Sequence, residues 1–268
     1  MPRRERLYMG QRVGVGWHGG QCVGPDPCSF CLDHDFIHCE NRIICGVHYD
    51  GGYAESMVAP AVAVAPLPDE IEFAEAAPLL CAGVTTFNAL RHAGGRPGDL
   101  AVVEGIGGLG HLGVQFSRAM GYRVVAVSPG DLADFARGLG AELYVDSLQD
   151  DPTARIQALG GANVILCTSP SAESMSRLVP ALGPYGRMMI VGVPSSPLTI
   201  DPDDLIDRRA AVMGWACGHA ADSRDCLTFA ASHGIRPMVE RFALEQANEA
   251  VAAMREGRVR FRGVLVVG

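Results

Sequence analysis

Four cysteines, Cys22, Cys28, Cys31 and Cys39, fall within eighteen residues of one another. Four thiolates on a tight loop suit a tetrahedral zinc ion with no open position, which is a structural site rather than a catalytic one. Cys28 and Cys31 form a C-x-x-C pair, with seven residues between Cys31 and Cys39 and Cys22 upstream. Unliganded thiols are the competing reading, and spacing alone leaves both open.

A second stretch carries a different chemistry. Val102-Val103-Glu104-Gly105-Ile106-Gly107-Gly108-Leu109-Gly110 holds Gly105, Gly107 and Gly110 in a G-x-G-x-x-G pattern. It follows an apolar run, opens a helical pattern and precedes a second apolar run, as a dinucleotide-binding turn requires. Gly105 permits the tight turn and Gly107 lets backbone approach a pyrophosphate. Gly110 allows helix to pack on strand. Gly108 and Leu109 complete the turn at the helix start, where free N–H groups and the dipole favour an anion. The next apolar run ends at Ser128, where an NAD-binding unit usually carries an acid for the ribose diol. Ser128 would not repel a 2′-phosphate, which tilts the reading toward NADP. Pro129 and Gly130 supply no cation, however, and Asp131 lies close by.

These groups need a scaffold. Leu100–Glu104, Arg123–Ser128, Asn163–Thr168, Arg187–Gly192 and Ala211–Gly214 read as strands. Leu109–Met120, Leu132–Leu139, Ala172–Leu182 and Asp222–His233 read as helices among or after them. Alternation of this kind predicts an α/β fold, a doubly wound parallel sheet of the Rossmann type. Before it, Arg12–Trp17 and Tyr53–Val58 read as short β runs around the cysteines, and Ala74–Ala93 as a helix. A helix at Leu244–Glu256 and a strand at Gly263–Val267 close the chain. The hydrophobic fraction of 48%, with 19% charged residues, suits a folded core. A net charge of −8 argues against a nucleic-acid partner. No run of eighteen apolar residues supports a membrane span. Met1-Pro2-Arg3-Arg4-Glu5-Arg6 is charged without an apolar stretch behind it, unlike a secretory signal. A cytoplasmic setting follows, in which the nine cysteines stay reduced.

Several motifs occur here in one order: Gly14-Val15-Gly16-Trp17, the cysteine lobe, Asp50-Gly51-Gly52-Tyr53-Ala54-Glu55, Leu80-Cys81-Ala82-Gly83-Val84-Thr85-Thr86, the glycine turn and Arg260-Phe261-Arg262-Gly263-Val264-Leu265. In that order the chain resembles the zinc-dependent alcohol dehydrogenases of the medium-chain dehydrogenase/reductase superfamily, from Arg12 to Gly268. The resemblance implies a Rossmann domain for NAD or NADP beside a GroES-like β domain. The expected division is 1–81 for a partial GroES-like domain with the cysteine lobe, 82–234 for the Rossmann domain and 235–268 for the return to the GroES-like domain. Cys81 resembles the last protein ligand of the family's catalytic zinc, Thr85 a threonine near the nicotinamide, and Arg262 an arginine paired with cofactor phosphates. Cys22, Cys28, Cys31 and Cys39 resemble the structural-zinc quartet.

Two departures shape the functional reading. Five residues, Val23 to Pro27, separate Cys22 from Cys28, where the family has two. Only eleven residues precede Arg12, so the groups that the family places before that strand are expected to be missing. A catalytic zinc normally takes three protein ligands, and Cys81 is the one matched position. The expected function is hydride transfer between NAD(P) and an alcohol or carbonyl substrate with an incomplete catalytic zinc site. Alternatives are a non-redox enzyme (a cyclase, isomerase or lyase) or an inactive binding protein using an opened cleft. His18, His48, Asp50 and His219 are then the acid–base candidates, with His48 the one set beside Cys81 and Thr85. Apolar surface left by a shortened β domain predicts a homo-oligomer, a dimer in the simplest case.

Overall fold

The computed structural model describes residues 7–268. The charged opening run, Met1 to Arg6, lies outside the described residues. The strands are β1 (Val13–Val15), β2 (His18–Gly20), β3 (Ile43–Ile44), β4 (Val64–Pro66), β5 (Leu100–Glu104), β6 (Arg123–Ser128), β7 (Leu143–Asp146), β8 (Ala162–Cys167), β9 (Leu182–Ile190), β10 (Ala211–Gly214), β11 (Val239–Ala243) and β12 (Arg262–Val266).

Contacts divide the chain into two compact units. One runs from Thr85 to Ala216 with Ile235–Pro237. Its six strands pair in the order β10-β9-β8-β5-β6-β7, all parallel. This is the doubly wound order, and the chain reverses direction of winding between β5 and β8. Strands covered on both faces must be apolar throughout, and Leu100 to Glu104 are all buried. Val102, Val125, Ile165, Met175 and Met188 form the centre of one core.

The charged residue in that run is Glu104, only 3% exposed. Its carboxylate accepts from the Ser169 N–H at 3.2 Å, the Ser169 hydroxyl at 2.5 Å and the Ser174 hydroxyl at 2.7 Å. A buried carboxylate persists only when its oxygens are met in this way. The bonds fasten the segment after β8 to the end of β5. Thr168 Oγ1 adds a bond to the Glu104 carbonyl at 2.9 Å.

The other unit runs to Val84 and takes in Cys217–Gly234 and Met238–Gly268. Its strands make three small pairs: β1 with β4 and β2 with β3, antiparallel, and β11 with β12, parallel. The expected division kept 82–234 together, whereas contacts group Cys217–Gly234 with the residues up to Val84. The helix Ala220–His233 packs against the residues up to Val84 of this same unit, where the Cys226 thiol donates to the Leu79 carbonyl at 3.9 Å. Helix and sheet alternation cannot reveal which core a following helix joins. A correction concerns Tyr53–Val58, expected as a strand. It is irregular, with Tyr53 75% and Val58 89% exposed, and no strand pairs with it among the described residues. Strand propensity without a partner leaves the backbone unladdered.

The run Phe73–His92 is long and apolar enough to cross a membrane by composition, but 72% of that window is buried inside the protein, as in a core helix. It is α-helical at both ends, with a π-turn at Leu79–Gly83.

Replacing Glu104 by Ala strands the Ser169 and Ser174 donors, at a cost of roughly 1–3 kcal/mol. The expected result is a lower thermal midpoint, with Glu104→Gln falling between the two. An unchanged midpoint in Glu104→Ala would remove this carboxylate as a fastening.

Candidate functional site: a glycine turn and a thiolate lobe

The turn after β5 sits at the point where the winding reverses, the usual ligand position in such sheets. Gly105 has φ of +83°, a region that favours glycine. A Cβ on Gly110 would lie 1.7 Å from the Gly105 carbonyl oxygen, so only glycine lets the helix start there. A Cβ on Gly107 would meet nothing within 4 Å. The space beside Gly107 is therefore open, as approach by a bulky anion requires. The amides of Gly107, Gly108 and Leu109 donate to no protein group among the described residues. Leu109 precedes the helix Gly110–Ala119 without a side-chain cap, so its N-terminal N–H groups remain for a ligand. These features fit a dinucleotide pyrophosphate.

Ser128 ends β6 and is buried. Its carbonyl accepts from the Tyr144 hydroxyl at 2.8 Å. Its partner in the β6–β7 register is Asp146. Neither Tyr144 nor Asp146 is legible as a site residue in sequence, because β7 is short and was not foreseen.

The sulfurs of Cys22, Cys28, Cys31 and Cys39 all lie within 4.8 Å of one another. Cys22 and Cys39 are 3.5 Å apart, and Cys28 and Cys39 are 3.9 Å apart. A tetrahedron with metal–sulfur bonds near 2.3 Å has edges of about 3.8 Å, so the quartet fits zinc. The five-residue insertion does not prevent closure. The Asn41 amide donates to Cys22 Sγ at 3.2 Å, and the Cys22 N–H donates to Cys39 Sγ at 3.3 Å. Asn41, followed by bonds from the Cys28 backbone and Cys39, pulls the Cys22 thiol down to about 6. Burial pushes Cys31 up to about 12. Asn41 is a residue that sequence reading missed; its position two residues after the last cysteine is the one available signal.

Cys81 lies in the π-turn and is exposed, with Thr85 one helical turn on and buried. Among the described residues, the four-cysteine lobe is the one group of three or more ligand-type side chains placed to hold a metal. Cys81 is not brought into such a group, and a catalytic zinc is not fitted by the residues present. His48 is exposed, and its Nδ1 accepts from the Ile44 N–H at 2.9 Å, which pins its own turn. Asp50 is exposed in the same region. His219 starts the helix Ala220–His233: its Nδ1 accepts from the Ala221 N–H and its own N–H donates to Asp222. His18 and His219 do come together, with ring centroids 6.4 Å apart. The thiol of Cys217 is pushed up to about 11 by burial, with Cys81 and Asp222 adding to it. Arg262 opens β12, half-buried, opposite Val239.

Comparison with known proteins agrees with this geometry. The zinc-binding dehydrogenase family profile matches residues 108–232. Alcohol dehydrogenase patD of Penicillium expansum is 41% identical over 259 residues, covering 96% of this chain and 75% of that protein. An alcohol dehydrogenase of Geobacillus stearothermophilus is 36% identical over 261 residues, covering 97% of this chain and 76% of its own. The crystal structure of a cinnamyl alcohol dehydrogenase from Sorghum bicolor superposes with a TM-score of 0.86 at 30% identity, covering 97% of this chain and 76% of that one. The chain belongs to the zinc-type alcohol dehydrogenase family of the medium-chain dehydrogenase/reductase superfamily. It is an alcohol dehydrogenase-like oxidoreductase with an NAD(P)-type Rossmann unit, and the cyclase, isomerase, lyase and binding-protein alternatives are not favoured.

His18 is 1% exposed; its Nε2–H donates to the Phe36 carbonyl at 3.1 Å and its Nδ1 has no partner. Burial lowers its pKa below the ordinary histidine value. A lowered folded pKa makes the neutral ring stabilising above the unfolded value near 6.5, and that stability is lost as pH falls through the folded value. The thermal midpoint of the wild type should therefore drop below about pH 6.5 more steeply than that of His18→Gln. Parallel pH profiles would show that His18 is not the sensitive group.

Proposed function

We propose that this chain transfers hydride between NAD(P) and a small alcohol or carbonyl compound, and that its cysteine lobe holds one structural zinc. The observation that carries the first part is the open cradle at Gly107, with unclaimed amides at Gly107, Gly108 and Leu109 beside a helix N-terminus. Those amides hold the pyrophosphate, and the Gly110 contact fixes their direction. Arg262 and Thr85 take the phosphate and nicotinamide roles that family position gives them. The nicotinamide supplies the hydride chemistry. Cys81 is the one matched ligand of a catalytic zinc, so no step is assigned to such an ion.

The second part rests on four sulfurs at tetrahedral spacing with two N–H···S bonds around them. Each N–H spreads thiolate charge and holds a ligand in place. A reducing, cytoplasmic setting suits nine free thiols. A homodimer is the assembly we propose, since Val13, Val58, Phe73 and Val266 expose apolar surface on the unit that carries the lobe.

Titration with NADH and NADPH tests the reading. Binding by at least one below about 1 mM is expected, and Gly107→Val should abolish it while leaving the fold intact. If neither cofactor binds, the redox function fails. Metal analysis should return one zinc per chain, falling toward zero in Cys39→Ser; none in the wild type would dismiss the structural site.

A further inference from the structure

The end of β6 lacks the acid that usually meets the adenosine ribose, and the same end of the sheet supplies one from the next strand. Asp146 closes β7 in direct register with Ser128. Its Oδ1 accepts from the Gly130 N–H at 2.8 Å and the Leu148 N–H at 3.0 Å. The carboxylate is therefore fixed under the Ser128-Pro129-Gly130 turn. The Tyr144 hydroxyl holds the same turn from the other side through the carbonyls of Ser128 and Gly130. Burial first, then Asp146 and Asp131, push the Tyr144 hydroxyl up, so it remains a proton donor.

The turn itself carries no cation. From Ser128 to Ala136 there is no lysine or arginine, and Asp131 and Asp134 are exposed. Arg137, at the end of the next helical turn, pairs with Asp134 at 3.0 Å. A 2′-phosphate carries close to two negative charges at neutral pH. It would approach a fixed carboxylate with no unpaired guanidinium within the turn to offset it.

We propose that Asp146 makes this chain select NAD over NADP, taking from β7 the role that an acid at the end of β6 plays elsewhere. This reverses the tilt toward NADP that Ser128 alone suggested. It rests on the proposed cofactor site and adds its specificity.

Equilibrium binding of NADH and NADPH to the purified full chain, by calorimetry, decides the matter without reference to turnover. The wild type should bind NADH at least about tenfold more tightly. Asp146→Asn and Asp146→Ser, each still able to accept from Gly130, should shrink that ratio by about tenfold, mainly through tighter NADPH binding. Asp134→Asn, on the exposed helix flank, should move it far less. Equal or tighter NADPH binding by the wild type would overturn the proposal while leaving the oxidoreductase reading intact. An unchanged ratio in a folded Asp146 variant would also overturn it. Should both variants fail to fold, the wild-type ratio alone decides. Loss of both cofactors from the wild type would remove the underlying site instead.

Discussion

The cofactor end of the Rossmann unit depends on one backbone contact, Gly110 against the carbonyl of Gly105. Any side chain at position 110 would lift the helix Gly110–Ala119 from the sheet and turn its amides away. The contact lies at the reversal of winding, where β5 and β8 diverge beyond their ends. Glu104 and Thr168 close that divergence from below, through bonds that join the ends of the two strands. A charged side chain inside an apolar strand is thus part of the turn's support. Without it, the segment after β8 would keep only the Thr168 bond and side-chain packing to hold it to β5.

The Rossmann unit was largely legible because its signals are local. Leu100–Glu104, Arg123–Ser128 and Ala211–Gly214 appear with the expected bounds, since each is an apolar run stopped by glycine or a polar turn. Strand β7 is not legible in the sequence: Leu143-Tyr144-Val145-Asp146 is short and bordered by Glu142, and only its pairing with β6 makes it a strand. The glycine turn and the four cysteines were readable from type and spacing. Their supports were not, because hydrogen bonds join residues far apart in the chain. Asn41 reaches Cys22 and Asp146 reaches Gly130, and neither partner leaves a periodic mark.

Cys81 keeps its family position inside a π-turn, a helix irregularity that tends to occur at functional sites. Leu79 and Leu80 beside it are buried, and Cys226 packs under the Leu79 carbonyl. The backbone that presents Cys81 is therefore retained and supported by a core. Such support is expensive to lose, because removing it opens a cavity, whereas exchanging an exposed ligand side chain disturbs little packing.

The lobe from Cys22 to Cys39 buries little besides Cys31 and Cys39; Val23, Phe30 and Leu32 are exposed. A segment with so small an apolar interior cannot offset its own chain entropy by packing. Its order depends on whatever ties the sulfurs together, while the six-stranded sheet is held by a continuous core. The chain therefore has two separate cohesion scales. With the proposed zinc in place, chelation would open the lobe to a protease while the sheet stayed protected from hydrogen exchange.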